Sequence, residues 1–295
     1  MLNNDVSPRV GMIGLGSMGR PMAGHLVEAH GSLAITGRTR RYDDLEAAGA
    51  TWHESARDLA AASDVVVAML PDLPELEQVL AGPDGLLAGA DHDILLLIGS
   101  TSSAIGVREL AERLERETEG RVRVVDSPVS GGEDGATAGT LSIMLGGSED
   151  DAALAARVLD ACGTPVRLGP LGAGQVAKAC NQLVVSSTAM ALAEATVIAT
   201  RSGIDPAQLW DLLGGGYAGS NFLASRRDKL VAADYSPSGV AKYMVKDLRF
   251  ANDAAEATST NAVLLPALRA AFDELVERGL GDDDIIVTRR LIEER

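Results

Sequence analysis

Cysteine is nearly absent. Only Cys162 and Cys180 occur among 295 residues, with no CxxC pair and no Cys/His cluster. That count argues against a disulfide framework or a structural zinc site and fits a reducing cytoplasm. No ligand cluster suggests another metal. Basic residues are scarce too: 26 Lys and Arg face 42 Asp and Glu, a formal charge of −16. Such a field repels phosphate backbones and anionic membrane surfaces, so nucleic acid and membrane are poor partners. An anionic substrate needs a local patch of donors working against it. The opening MLNNDVSPRV lacks the basic-then-apolar order of a signal peptide. No unbroken apolar run reaches membrane-spanning length, since Gly, Pro or charge interrupts each one. The expectation is a soluble, cytoplasmic protein.

The length suits two domains, or one domain with a large helical extension. Apolar runs at 9–14, 33–36, 65–70, 94–98 and 122–125 read as buried strands. Amphipathic patterns at 18–29, 41–48, 55–61, 73–80 and 105–116 lie between them. That rhythm predicts βαβ units and a parallel sheet. A sixth strand at 141–145 follows a glycine-rich loop, Ser148-Glu149-Asp150-Asp151 reads as a capping box, and 166–168 closes this half. The texture changes after 169–172. A long Ala-rich helical pattern runs from 175 to about 201, followed by helices around 206–213, 223–232, 245–257 and 264–278. The domain boundary is placed at 169–172, with the long helix at the interface.

Residues 10–19 read VGMIGLGSMG, a GxGxxG that directly follows the first strand and opens the first helix. Gly14 permits the tight turn, Gly16 lets backbone approach a pyrophosphate, and Gly19 lets helix pack on strand. The helix start, with Ser17 and Met18, then meets the anion with backbone N–H groups. The alternative is a Gly-rich turn without a ligand, but strand, helix and βα rhythm agree on dinucleotide binding. At the end of the second strand, an acid would grip the ribose 2′-OH of NAD. This chain offers Gly37-Arg38-Thr39-Arg40-Arg41 instead. Arg38 and Thr39 suit a 2′-phosphate, so NADP(H) is preferred and NAD(H) remains possible. The alternative here is a solvated basic turn.

Ser130, Gly131 and Gly132 follow a strand end, where open α/β sheets place ligands. Paired glycines can aim N–H groups at one point, a nest for a carboxylate, although such a loop is more often a plain turn. On the long helix, Lys178, Asn181 and Gln182 stand at i, i+3 and i+4 and share one face. Their neighbours are small or apolar. A lysine there either snorkels to water or is held in a cleft, and spacing alone favours snorkelling.

Five stretches together resemble the β-hydroxyacid dehydrogenase family, which includes 3-hydroxyisobutyrate dehydrogenase and tartronate semialdehyde reductase. They are GMIGLGSMGRPMAGHL (11–26), MLPD (69–72), DSPVSGGEDGATAGTLSIMLGG (126–147), GAGQVAKACNQ (172–182) and VKDL (245–248). They occur in the family's order and spacing across most of the chain. The resemblance implies a Rossmann-type α/β domain over 1–169 and an all-α domain for substrate and dimerisation over 170–295, bridged by a long interdomain helix. It implies Lys178 as general acid/base, Asn181 supporting the reacting oxygen, and Gln182 at a substrate-contacting position more often held by asparagine. It assigns Ser130, Gly131 and Gly132 to the substrate carboxylate, and Lys246 to the vicinity of nicotinamide and substrate. Thr101 would sit beside the nicotinamide ribose, with Leu70 and Pro71 along the adenosine side.

Three departures stand out. Ile98-Gly99-Ser100 precedes Thr101 where the family usually carries an acid before Ser-Thr, His25 replaces the asparagine after Met-Ala, and 214–242 matches no subgroup.

The implied reaction interconverts a small β-hydroxy acid and its semialdehyde, and the implied assembly is a homodimer or homotetramer. An imine reductase on the same architecture generally lacks a lysine at the Lys178 position. A 6-phosphogluconate dehydrogenase has a much longer C-terminal domain. A non-catalytic NADPH-binding adaptor typically loses the lysine and gains reader modules. Lys178 argues against the first and the last.

Overall fold

The structure, a computed structural model, describes residues 7–40 and 42–295. Residues 1–6 of the leader reading lie outside the described residues. So does Arg41, which belongs to the basic turn and opens the expected 41–48 helix. The chain forms two compact units, one ending at Lys178 and the other spanning Ala179–Arg295.

The first unit carries strands β1 (Val10–Ile13), β2 (Leu33–Thr36), β3 (Ala50–Trp52), β4 (Val65–Ala68), β5 (Ile94–Ile98), β6 (Val122–Asp126), β7 (Val129–Ser130), β8 (Leu141–Gly146) and β9 (Gly163–Gly169). Between them run helices α1 (Gly19–His30), α2 (Asp43–Ala47), α3 (Ala56–Ala61), α4 (Leu73–Leu80), α5 (Ala104–Thr118), α6 (Gly132–Ala138) and α7 (Glu149–Leu159). The sheet order is β3-β2-β1-β4-β5-β6-β8-β7, with β9 on β8.

Strand β5, Ile-Leu-Leu-Leu-Ile, is fully buried, as a central parallel strand covered on both faces must be. Its side chains alternate. Leu95 and Leu97 enter a core with Met22 and Leu26 of α1 and Val158 of α7, whereas Ile94, Leu96 and Ile98 pack with Leu76, Val107 and Leu110. Each such side chain is worth about 1.5–3 kcal/mol against exposure.

The expectation of a parallel sheet needs correcting beyond β6. Strand β8 runs antiparallel to β6, through Asp126 and Gly146, and to β7. For the β7–β8 pair the reason is chain length: the 131–140 connection is shorter than the dozen or so residues that a parallel return requires. Ser148 caps α7 as its spacing predicts, its Oγ accepting from Asp151 N at 3.1 Å.

Helix α8 (Ala173–Arg201) passes through the division between the units. At 29 residues it is long and apolar enough, by length and composition, to cross a membrane. It is not an unbroken apolar run, since Lys178, Asn181, Gln182 and Glu194 interrupt it. Within the second unit its inner face is already covered. Ala189 and Met190 join a core with Leu268 and Phe272, and the buried Thr196 Oγ1 accepts from Trp210 Nε1 at 3.0 Å. The rest of this unit is α9 (Pro206–Leu213), α10 (Asn221–Ala232), α11 (Tyr243–Ala257), α12 (Leu265–Glu277) and α13 (Thr288–Glu293). Asp205 caps α9, accepting from Ala207 N, and Pro206 occupies the first helical position, where a missing N–H costs nothing.

Candidate active site

The glycines of the first turn divide by role. Gly14 has φ +94°, and a Cβ there would lie 2.2 Å from Met69 O; one on Gly19 would lie 1.9 Å from Gly14 O. Both glycines are required by the fold. A Cβ on Gly16 would meet nothing within 4 Å, so there the turn opens to empty space. No side chain caps α1 and no acid stands in its first turn; Ser17 is exposed and Met18 half-buried. An uncapped helix start beside an open glycine fits a pyrophosphate.

An open concavity of about 650 Å³ adjoins it, lined by Gly16, Ser17, Arg20, Tyr42, Asp44, Glu133 and Thr137 among others. Arg20 is a lining cation that the sequence reading passed over. Its Nη2 lies 2.9 Å from Asp44 Oδ2, and this hydrogen bond holds the Asp44 carboxyl below its ordinary range.

At the end of β2, Arg38 and Thr39 are exposed, while Arg40 is engaged by Glu46 at 2.6 Å and Glu54 at 3.8 Å. Tyr42 anchors the following segment: its hydroxyl donates to Leu15 O at 3.1 Å and its ring stacks on Trp52. Leu70, whose N–H donates to Ser100 Oγ at 3.2 Å, and the exposed Pro71 follow β4; the half-buried Thr101 follows β5. The expected cofactor residues of this unit thus gather at the carboxyl ends of β1, β2, β4 and β5.

Ser130 is half-buried at the end of β7, and Gly131 (φ +138°) and Gly132 (φ +63°) are exposed. A Cβ on Gly131 would press on Leu141 Cδ2 at 3.0 Å, whereas one on Gly132 would meet open space. His25 holds the next helix in place, its Nε2 lying 3.0 Å from Thr137 O.

On α8, Lys178 is buried, with 8% of its surface exposed, as a lysine reaching bulk water would not be. Asn181 and Gln182 begin a chain of hydrogen bonds in the second unit. Asn181 Nδ2 donates to Gln182 Oε1 at 2.8 Å, and Gln182 Nε2 donates to Asp247 Oδ2 at 2.6 Å. Lys246 Nζ lies 3.3 Å from Asp247 Oδ1 and 5.1 Å from the centre of the Phe250 ring. Asn181, Gln182 and Lys246 therefore converge on Asp247, a residue the sequence reading did not single out. The signal was there: Met244, Asp247, Leu248 and Ala251 form one buried stripe of α11, and an acid within it needs a partner.

In the first unit, fully buried Asp126 accepts from Gly172 N and Gln175 N, each at 2.7 Å. Burial pushes its carboxyl up to about 6, against the pull of those two amides.

Residues 9–178 match the family model for the NAD binding domain of 6-phosphogluconate dehydrogenase. Residues 172–292 match the model described as NAD-binding of NADP-dependent 3-hydroxyisobutyrate dehydrogenase. The chain is 35% identical to a 2-hydroxy-3-oxopropionate reductase of Escherichia coli, covering 92% of each. It is 32% identical to an NAD-dependent L-serine dehydrogenase of Pseudomonas aeruginosa, covering 97% of this chain and 98% of the relative. Among solved structures, a Mycobacterium tuberculosis 3-hydroxyisobutyrate dehydrogenase with L-serine superposes with a TM-score of 0.83 at 29% identity, covering 97% of this chain and 99% of that one. The chain belongs to the β-hydroxyacid dehydrogenase family of NAD(P)-dependent oxidoreductases.

Proposed function

We propose that the protein interconverts a small β-hydroxy acid and its semialdehyde, with Lys178 as general acid/base and NADP(H) favoured over NAD(H). The observation that carries this reading is the burial of Lys178 on the helical face shared with Asn181 and Gln182. A lysine almost never gives up water without a task or a partner.

The compounds named for the relatives share a design: a carboxylate at C1, oxygen at C3, and a variable group at C2. The shared ends are what the candidate residues would read. Ser130 and the amides of Gly131 and Gly132 would bind the carboxylate, and Gln182 and Lys246 would contact the substrate. When bound, the nicotinamide supplies the hydride to C3 or accepts it. In the reducing direction Lys178 gives a proton to the aldehyde oxygen, to which Asn181 donates a hydrogen bond, and the product is a primary alcohol. In the reverse direction the neutral amine of Lys178 takes the hydroxyl proton. Such proton transfer is worth about 10²–10⁴ in rate. Asp247 would orient Gln182, and through it Asn181.

The preference for NADP(H) rests on Arg38 and Thr39 standing where an acid would grip a ribose hydroxyl. A homodimer or homotetramer through the second unit is supported by exposed Val184, Ile198, Leu212 and Val263. Free Cys162 and Cys180 fit a cytoplasmic setting.

The test is Lys178→Ala with NADPH and 2-hydroxy-3-oxopropionate, and with NADP⁺ and 3-hydroxyisobutyrate or L-serine. The expected outcome is a kcat lower by about 10² or more with NADPH affinity and Tm little changed. Lys178→Arg should be nearly as damaging, because a guanidinium cannot cycle its proton. A Lys178→Ala enzyme that keeps wild-type kcat would end the assignment.

A further inference from the structure

Gln175 lies in the first turn of α8 with 1% of its surface exposed, and the proposed chemistry does not use it. A buried side-chain amide must satisfy both of its ends. Here both ends go to one loop: Ser102 N donates to Oε1 at 2.9 Å, and Nε2 donates to Ser100 O at 2.8 Å. The two bonds straddle Thr101. The same loop reaches onward, through Ser100 Oγ, to the backbone of Leu70.

Gln175 is itself anchored, because its own N–H donates to Asp126 Oδ2 while Gly172 N donates to Oδ1. Three residues further along the helix, on the same face, stands Lys178. An apolar side chain of equal length could fill the space but would leave a buried N–H and a buried carbonyl unpaired.

We propose that Gln175 is a positioning residue: its amide clamps the 100–102 loop to the helical turn that carries Lys178, so that Thr101 and the lysine keep one mutual geometry. The proposal rests on reading Thr101 as a nicotinamide-ribose contact and Lys178 as the proton donor. Two bonds of opposite polarity make the clamp directional. Neither a donor-only nor an acceptor-only side chain can replace it.

The test compares two variants of the full chain. Gln175→Met removes both bonds at nearly constant volume. Gln175→Glu keeps the acceptor and regains the donor only when its carboxyl is protonated; the charged groups around it are Asp126, which accepts from the residue's own N–H, Arg108, which acts on Asp126, and Lys178, three residues on along the same helical face. Four quantities are read: NADPH Kd by quenching of tryptophan fluorescence, amide exchange at Ser102 in the free protein, the single-turnover rate with saturating NADPH and 2-hydroxy-3-oxopropionate, and the isotope effect with 4-deuterated NADPH.

Gln175→Met should weaken NADPH about fivefold or more, expose the Ser102 amide to exchange, slow the turnover about tenfold or more and enlarge the isotope effect. Gln175→Glu should be similarly impaired at pH 8 and recover toward wild type as the pH falls to 6. The deficit of Gln175→Met, taken as a ratio to wild type, should not change with pH.

Wild-type NADPH affinity and turnover in Gln175→Met, with only Tm lowered, would overturn the clamp. So would a Gln175→Glu deficit that does not recover in acid, which decides the matter alone if the methionine variant does not fold. The Kd comparison is repeated on Lys178→Ala. If Gln175→Met still weakens NADPH there while Lys178→Ala itself turns over normally, the loop clamp stands and only the proton-donor reading falls.

Discussion

Asp126→Asn probes a buried carboxylate whose two environments pull in opposite directions. The two backbone amides at 2.7 Å favour the ion, and complete burial opposes it. Burial wins, moving the carboxyl from 3.8 to about 6. At about 1.4 kcal/mol per unit, that is roughly 3 kcal/mol of net cost for carrying the charge at neutral pH, the amides included. Asparagine sheds this cost but keeps only one acceptor and turns an N–H toward an amide N–H. We therefore expect Asp126→Asn to destabilise by only about 1–2 kcal/mol at pH 7.

The dependence on pH is sharper. Between about pH 3.8 and 6 the folded state holds a proton that the unfolded state has lost, so the contribution of this group falls as pH rises through that window and levels off above it. Asparagine does not titrate. The stability gap between wild type and variant should accordingly shrink by about 1–1.5 kcal/mol from pH 5 to 7 and then stay flat. Denaturant unfolding of both proteins at half-unit steps reads this directly. Points below pH 5 are avoided because the isoelectric point near 4.6 favours self-association. A gap that widens as pH rises would refute the reasoning, since it would place the amides above desolvation.

Arg38→Asp should narrow or reverse the preference for NADPH over NADH; equal affinities in wild type, unchanged in the variant, would sink the 2′-phosphate reading. Gly16→Ala should leave Tm alone and raise the NADPH Kd by about tenfold or more, because its Cβ meets only ligand space. Gly14→Ala should instead lower Tm, with its left-handed φ and its clash against Met69 O. Light scattering at micromolar concentration should return at least twice the 30.6 kDa of one chain, and a monomeric mass would count against assembly through the second unit.

Where one physical signal dominates, sequence and structure coincide. Strand β5 is an unbroken apolar run, and both of its ends fall where the pattern ends. Helix α9 begins at a proline behind an aspartate cap, a start signal that tertiary packing has no reason to override. The misses include elements too short to carry a period: β3 has three residues, β7 two and α13 six, and α6 lies in a stretch rich enough in glycine to read as a loop. The antiparallel β7–β8 pair follows from the length of one connection, which a strand-by-strand reading does not weigh. Gln175 and Asp247 escaped for another reason. Each is a polar residue at a buried helical position, and what it does depends on a partner 73 or 65 residues away in sequence.

The glycines carry the same lesson to finer grain. Spacing names Gly14, Gly16 and Gly19 as one motif, and Gly131 with Gly132 as another, without separating what each member is for. Steric surroundings separate them. Gly14, Gly19 and Gly131 each face protein atoms at or within 3.0 Å of the position a Cβ would take, so the fold alone demands them. Gly16 and Gly132 face nothing within 4 Å, and no packing argument requires either to lack a side chain, although Gly132 also has a left-handed φ. One such opening lies at the uncapped start of α1 and the other at the start of α6, and Gly16 lines the same concavity as Glu133 and Thr137 of α6. At Gly16 the unfilled space adjoins a helix start that no side chain caps, as a bound pyrophosphate would require. Gly16, whose missing side chain neither packing nor a left-handed φ explains, is thus better evidence for a ligand than the motif that contains it.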